Sequence, residues 1–197
     1  MEIKPIETEY KGYRFRSRLE ARWAVFFDEC GFRWEYEPEG FDIDGTKYLP
    51  DFYLPEFSLY AEVKPNTPER LRELAKTQML LTWGGPVNAI LILSDIPFGN
   101  DGGLWYYPIM YYDSYEGVCL SKWIFHDNDD CVVGTKTLHN TKVINGKTAE
   151  GWEKENIGAK NQADMGWEPE CWDKDGIVFD ALTKARAARF EHGECGA

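Results

Sequence analysis

The first third of the chain opens with a helical hydrophobic pattern. Ser17 and Glu20 are spaced as an S-x-x-E capping box, and the apolar positions around and after it recur at helical spacing. These positions are Leu19, Trp23, Phe26, Phe27 and Cys30. Gly31 suits the C′ position, where glycine commonly ends a helix. The pattern therefore predicts a helix over residues 17–30.

The pattern then changes to alternation, which predicts strands. Residues 32–38 alternate aromatic with charged side chains, as a half-buried strand does. An Asp-Gly turn signal follows at residues 44–45, and residues 47–54 and 58–64 form two more strand-like runs. Asp51 is expected near the middle of the first of these runs.

A second helix and a buried strand complete the first half of the chain. Residues 67–69 read Thr-Pro-Glu, which supplies an N-cap, a proline at the first helical position and an acid in the first turn. The apolar run at residues 87–93 is typical of a strand buried on both faces, most often in parallel pairing. The order of elements predicts an α/β fold with an αβββαβ core and a mixed sheet over residues 1–97.

The rest of the chain has a different composition. Residues 98–176 are rich in Gly, Asp, Trp and Tyr, with short strands expected at 104–112 and 118–126. We interpret this stretch as an irregular insertion or subdomain whose aromatic residues form its own core or stack on bases. Residues 177–192 predict a C-terminal helix, and the last segment, 177–197, is expected to pack on the core. Lys184, Arg186 and Arg189 near the end of that helix complement its dipole.

Composition narrows the class of protein. Of 197 residues, 43% are hydrophobic, which is enough for a sizeable core. The sequence has no apolar run long enough for a membrane helix. Its first ten residues lack the apolar stretch of a signal peptide, so we expect none. The five cysteines contain no C-x-x-C pair. We therefore expect a reduced, cytoplasmic protein without a membrane partner.

The net charge argues against simple coating of nucleic acid. The chain has 22 basic and 34 acidic side chains, a net charge of −12. Residues 101–175 account for over half of the excess, with 7 basic and 14 acidic residues. Proteins that bind nucleic acid without specificity are usually basic. A metal-using enzyme with local basic patches is still compatible with this charge.

The densest candidate chemistry lies on two predicted strands. Asp51 follows Pro50, and residues 62–64 read Glu-Val-Lys, with Glu62 and Lys64 on one face of a strand. A hairpin between the strands would bring Asp51 close to Glu62. Two such carboxylates are typical ligands of Mg²⁺ or Mn²⁺, and Lys64 would orient an attacking water or stabilise charge on a phosphate.

The motif P-D-(x)10-E-V-K resembles the PD-(D/E)xK nuclease superfamily. The resemblance covers roughly residues 13–95, and the wider stretch is similar to small nuclease-like proteins often encoded by phages and mobile elements. It implies a restriction-endonuclease-like core and a divalent metal ion, Mg²⁺ or Mn²⁺, held by Asp51, Glu62 and the backbone carbonyl of Val63. Lys64 would be the catalytic lysine and Glu20 the helix-borne acid, which could also reach the metal. Gln78 would correspond to a glutamine that some branches carry on the following helix.

Each assignment has a structural alternative. The capping box alone explains Glu20, a cross-strand charge pattern explains Glu62 and Lys64, and a satisfied core amide explains Gln78. Four arginines surround the start of the first helix, where they would clamp a phosphate backbone or form a solvated face paired with nearby glutamates. They are Arg14, Arg16, Arg18 and Arg22.

These patterns favour a divalent-metal-dependent nuclease that acts on DNA rather than RNA. Two rival hypotheses stay open. One is a non-catalytic, nuclease-like interaction protein, such as an acidic inhibitor or DNA mimic whose acidic segment, 98–176, binds a partner protein. The other is a nuclease subunit that is active only within a complex.

Overall fold

The computed structural model describes residues 5–65, 70–96, 105–115, 117–128, 131–136, 141–142, 160–161 and 176–190. The described chain contains three α-helices of at least ten residues: α1, Arg18–Glu29; α2, Arg70–Thr82; and α3, Ile177–Ala187. It also contains thirteen strands. They are β1, Thr8–Tyr10; β2, Tyr13–Phe15; β3, Glu35–Tyr36; β4, Phe41–Ile43; β5, Thr46–Tyr48; β6, Phe52–Leu54; β7, Leu59–Val63; β8, Ala89–Leu93; β9, Trp105–Asp113; β10, Gly117–Asn128; β11, Cys131–Lys136; β12, Thr141–Lys142; and β13, Lys160–Asn161.

The helices form close to where the pattern places them. Ser17 caps α1 by accepting a hydrogen bond from the Glu20 N–H at 3.2 Å, and Gly31 beyond the helix has a φ of +75°. The predicted cap of α2 at residues 67–69 lies outside the described residues. Helix α3 ends at Ala187, earlier than the predicted residue 192, because Ala188 already has an extended conformation.

Nine strands form one mixed sheet, which confirms a mixed α/β fold. Along the main path the order is β11-β10-β9-β8-β7-β6-β3; β12 pairs with β10 and β13 with β9. Strands β6 and β7 form an antiparallel hairpin, and β8 is parallel to β7 as predicted. Strand β9 is antiparallel to β8, and β10 is antiparallel to β9. The strands expected after residue 98 therefore extend the same sheet.

The prediction of one strand over residues 47–54 was wrong. Strand β5 pairs with β4 in a separate two-stranded sheet, whereas β6 begins only at Phe52. Pro50 lies between them, and proline has no N–H to donate to a strand ladder. Asp51 is consequently the residue just before β6 and does not lie in the middle of a strand.

Both faces of the sheet are covered. Leu91 and Leu93 of β8 pack in a cluster with α1 and α3, whereas Ile90 and Ile92 pack with α2 and the β4–β5 hairpin. This accounts for the nearly continuous apolar run at residues 87–93. Among the described residues, no helix has the length and apolar character needed to cross a membrane.

Helix α1 is fixed to the sheet by aromatic packing and one buried hydrogen bond. Its Trp23 and Phe27 side chains are fully buried, and their rings lie against Tyr107 of β9 and Phe52 of β6. The Trp23 indole N–H donates to the backbone carbonyl of Ser94 at 2.8 Å, just beyond the end of β8. This bond holds the helix that carries Glu20 against the end of the central strand.

We expect Trp23→Phe to lower the free energy of unfolding by about 2 kcal/mol or more. The variant removes the indole donor of the bond to the Ser94 carbonyl and removes part of a buried ring. Urea denaturation followed by circular dichroism measures the change. Trp83→Phe is the matched control, because Trp83 is 43% exposed and should change stability by less than about 0.5 kcal/mol. Equal losses in both variants would contradict this role of Trp23.

Candidate active site

The register of the β6–β7 hairpin sets Asp51 across from Glu62. Phe52 pairs with Ala61 and Leu54 with Leu59, and one further step along this register joins residues 51 and 62. The Asp51 side chain is only 2% exposed. Its Oδ2 accepts a hydrogen bond of 2.6 Å from the backbone N–H of Val63. The structure thus joins Asp51 to the Glu-Val-Lys segment, as the sequence predicts for a hairpin.

Glu62 is held on the opposite side of the sheet from α1. Its Oε2 accepts a 2.8 Å hydrogen bond from the Tyr48 hydroxyl, and its Oε1 forms a 2.8 Å ion pair with the Lys64 ammonium. The Tyr48 oxygen also lies 3.4 Å from Oγ1 of Thr77 on α2. Strand β7, the β4–β5 hairpin and α2 therefore fix the orientation of the Glu62 carboxylate together.

Glu20 combines the capping role with a place beside the site. Its Oε1 accepts a 2.7 Å hydrogen bond from the Ser17 hydroxyl. Its Oε2 accepts from the Tyr36 hydroxyl at 2.6 Å and from the Arg16 backbone N–H at 3.0 Å. Both oxygens are thus already engaged by neighbouring donors. The described part of the chain contains no group of three or more His, Cys, Asp or Glu side chains placed to hold a metal ion. The prediction of Glu20 as a third ligand stays a prediction.

Arg16 connects these acidic groups. Its guanidinium donates to Oδ1 of Asp51 and pairs with the Glu37 carboxylate at 2.8 Å. The ion pair with Asp51 raises the pKa of Arg16 despite the opposing effect of burial. Because the Arg16 side chain is 54% exposed, its charge remains largely solvated. It is the one predicted arginine whose contact with Asp51 the structure shows.

The other predicted arginines lie elsewhere on the described chain. Arg14 on β2 pairs with Glu7, and both side chains are exposed, which matches the solvated-face alternative. Arg18 and Arg22 lie one helical turn apart on α1, and the charges of both Arg18 and α3 residues act on Arg22. The four residues therefore do not form a single group.

Asp51 resists ionisation. Burial is the largest cause, and the negative charges of Glu62 and Glu20 add to it. Together they raise the pKa of Asp51 to about 8, although Lys64 and the Val63 N–H act in the opposite direction. The half-solvated Arg16 does not outweigh these effects. A cation placed between these carboxylates would relieve the repulsion.

Two tyrosines in the site were missed as functional residues by sequence reasoning. Tyr36 donates to Glu20, and Tyr48 donates to Glu62. Burial, with the adjacent carboxylates, keeps the pKa of each hydroxyl well above its usual range, so both act as neutral donors. The alternation over residues 32–38 suggested only an apolar role for Tyr36. For Tyr48, the signal that could have revealed its role was its position close to the Pro50-Asp51 pair in the sequence.

Helix α2 contributes Thr77 to the site through its contact with Tyr48. Gln78, the predicted glutamine, is the next residue on the same helix and is half-buried. Its backbone carbonyl accepts a 3.1 Å hydrogen bond from the Thr82 hydroxyl. The predicted role of its side chain stays a prediction.

The raised pKa of Asp51 predicts a pH-dependent stability penalty in the presence of a chelator. A carboxyl whose folded-state pKa lies above the unfolded value binds more protons when folded, so the free energy of unfolding falls as the pH rises from about 4 to about 8. Asp51→Asn cannot ionise and should escape this fall. We expect the variant to gain on the order of 1–3 kcal/mol relative to wild type across this range. Denaturant titrations at several pH values measure the difference, and parallel pH profiles would contradict the assignment.

Comparisons of the chain with protein-family models, with curated proteins and with solved structures found no match. The site is therefore defined by its own geometry: a buried aspartate bonded to the strand that carries a glutamate and a lysine.

Proposed function

We propose that the protein is a divalent-metal-dependent nuclease that hydrolyses phosphodiester bonds in DNA. The observation that carries the proposal is the hydrogen bond from the Val63 N–H to the buried Asp51 carboxylate. This bond places Asp51 next to both Glu62 and Lys64, which gives two carboxylates and a lysine in one place. The preference for DNA over RNA rests on the resemblance of the motif.

The order of elements around the site supports a restriction-endonuclease-like core. Helix α1 precedes β3 and the β6–β7 hairpin, and α2 then connects β7 to the parallel strand β8. The β4–β5 hairpin is inserted before β6 and supplies Tyr48. We propose this topology as the fold of the nuclease core.

The residues of the site are suited to a hard divalent cation. Carboxylate and carbonyl oxygens are the donors that Mg²⁺ and Mn²⁺ prefer. Asp51 and Glu62 would hold the cation, with the backbone carbonyl of Val63 as a further ligand and Glu20 as a nearby acid. Burial raises the pKa of Asp51, and the charges of Glu62 and Glu20 raise it further; a bound cation would oppose this shift. When bound, a divalent cation would polarise the scissile phosphate and stabilise the negative charge that develops on that phosphate.

The protein's own residues would divide the remaining work. The Lys64 ammonium lies 2.8 Å from the Glu62 carboxylate. From this position it would orient the attacking water or stabilise the charge that develops on the phosphate. Tyr48 fixes one oxygen of Glu62 and leaves the other facing Lys64. Arg16 is half-exposed beside Asp51 and would neutralise a phosphate oxygen.

A scaffold without catalytic activity is the second candidate. The specific observation in its favour is that Glu62 and Lys64 pair with each other, while Asp51 pairs with Arg16. With these contacts, each carboxylate has a protein partner without any metal ion. The net charge of −12 would then serve to bind a partner protein. A nuclease that needs a partner subunit is a variant of the first proposal.

The test is cleavage of supercoiled plasmid, linear duplex, single-stranded DNA and RNA with Mg²⁺ or Mn²⁺, with a chelator as the blank. We expect metal-dependent cutting of DNA that falls at least about 100-fold in Asp51→Ala, Glu62→Ala and Lys64→Ala, because each change removes charge stabilisation in the transition state. Titration calorimetry with Mn²⁺ should show lost binding in Asp51→Ala and retained binding in Lys64→Ala.

Glu35→Ala and Lys47→Ala are the controls, since both residues are exposed on neighbouring strands and carry the same charges. Both should keep wild-type activity. Absence of cutting together with absence of Mn²⁺ binding in the wild type would exclude the enzyme and leave the scaffold. Mn²⁺ binding that depends on Asp51, without cutting, would indicate a missing partner subunit.

A further inference from the structure

Helix α3, from the far end of the sequence, packs against α1. Val178, Leu182 and Ala185 of α3 belong to the same buried cluster as the α1 residues. The Lys184 ammonium pairs with the Glu29 carboxylate at 2.6 Å, near the C-terminal end of α1. This packing brings the polar side chains of α3 close to those on the solvent-facing side of α1.

Arginines from both helices gather at this contact. Arg18 and Arg22 lie one turn apart on α1, while Arg186 lies on α3 and Arg189 just beyond it. We call these four residues the arginine patch. Their charges act on Arg22: burial lowers its pKa, and the positive charges of Arg18, Arg186 and Arg189 lower it further. The patch therefore concentrates like charge in a protein whose overall charge is −12.

Arg22 also carries an unsatisfied donor. Its Nε atom is buried and has no hydrogen-bond partner among the described residues. Burying a polar group without a partner is unfavourable, and so is placing like charges together. A bound anion would offset both.

We propose that the arginine patch binds the sugar–phosphate backbone of the nucleic acid beyond the scissile phosphate. Guanidinium groups bind phosphate oxygens through paired hydrogen bonds, and several of them together fit a chain of phosphates. The patch begins at Arg18, two residues after Arg16, which contacts Asp51. A strand engaged at the site can therefore continue along the first turn of α1 to α3. The inference rests on the proposed nuclease function for the identity of the polyanion.

Binding of a short fluorescent duplex, measured by anisotropy with a chelator present, tests the patch without cleavage. Titrations between about 50 and about 200 mM salt give the slope of log K against log salt, which changes by about 0.9 for each lost phosphate contact. We expect Arg186→Gln and Arg189→Gln each to weaken binding about 3- to 10-fold and to reduce the slope by about one. Lys184→Gln, which removes the same charge from the same helix, should change neither.

Thermal unfolding separates a binding role from a structural one. Arg189 is exposed, so Arg189→Gln should keep or raise the melting temperature while it weakens binding, since it relieves repulsion. Arg22→Lys keeps the charge but loses the guanidinium geometry, and it should bind more weakly than wild type. A lower melting temperature with unchanged affinity and salt slope in Arg186→Gln and Arg189→Gln would overturn the proposal.

The outcomes also distinguish the patch from the nuclease function. Duplex binding that depends on the patch, in a wild type that neither cuts DNA nor binds Mn²⁺, would support the patch and reject the nuclease. If the wild type cuts DNA but the arginine variants bind the duplex as tightly as Lys184→Gln does, the binding role of the patch is wrong and the nuclease function is retained. No duplex binding by the wild type at low salt would overturn the patch.

Discussion

The hydrogen bond between the Asp51 carboxylate and the Val63 amide is the constraint on which the site depends. A buried carboxylate is unfavourable unless donors surround it, and here the donor belongs to the neighbouring strand. The register of the β6–β7 hairpin decides which amide is met. A slip of one residue would turn Glu62 toward the opposite face of the sheet. Strand register and the placement of the acidic groups are therefore one structural fact.

Local signals predicted the elements around this bond. The Ser17–Glu20 spacing predicted the start of α1, where the Ser17 hydroxyl accepts from the Glu20 N–H and donates to the Glu20 carboxylate. The apolar run at residues 87–93 gave a strand covered on both faces, since only a continuous pattern can face two layers. Such features depend on residues a few positions apart. The placement of Asp51 beside the Glu-Val-Lys segment was also accessible from the sequence, because a single hairpin joins the two strands.

Features that depend on distant residues were not predicted. Tyr48 contacts Glu62 from a separate hairpin. The chain leaves that hairpin at Pro50, because β5 pairs with β4 and not with the strands of the large sheet. The hydrophobic pattern does not show which strands pair. The sequence grouped four arginines by their proximity along the chain. In the structure, Arg14 turns to Glu7, Arg16 turns to Asp51, and Arg22 lies beside arginines more than 160 residues away. Tertiary packing decided their partners.

The position of α1 between the sheet and α3 has a consequence for the order of assembly. Glu29 and Lys184, which join the two helices, are 155 residues apart. A chain grows from its N-terminus, so the strands that cover the inner face of α1 are synthesised long before α3. Until α3 has been synthesised, the α1 side chains that share its cluster do not have its apolar residues to pack against. Completing the core around α1 and bringing the arginines of the two helices together thus both wait for the synthesis of α3.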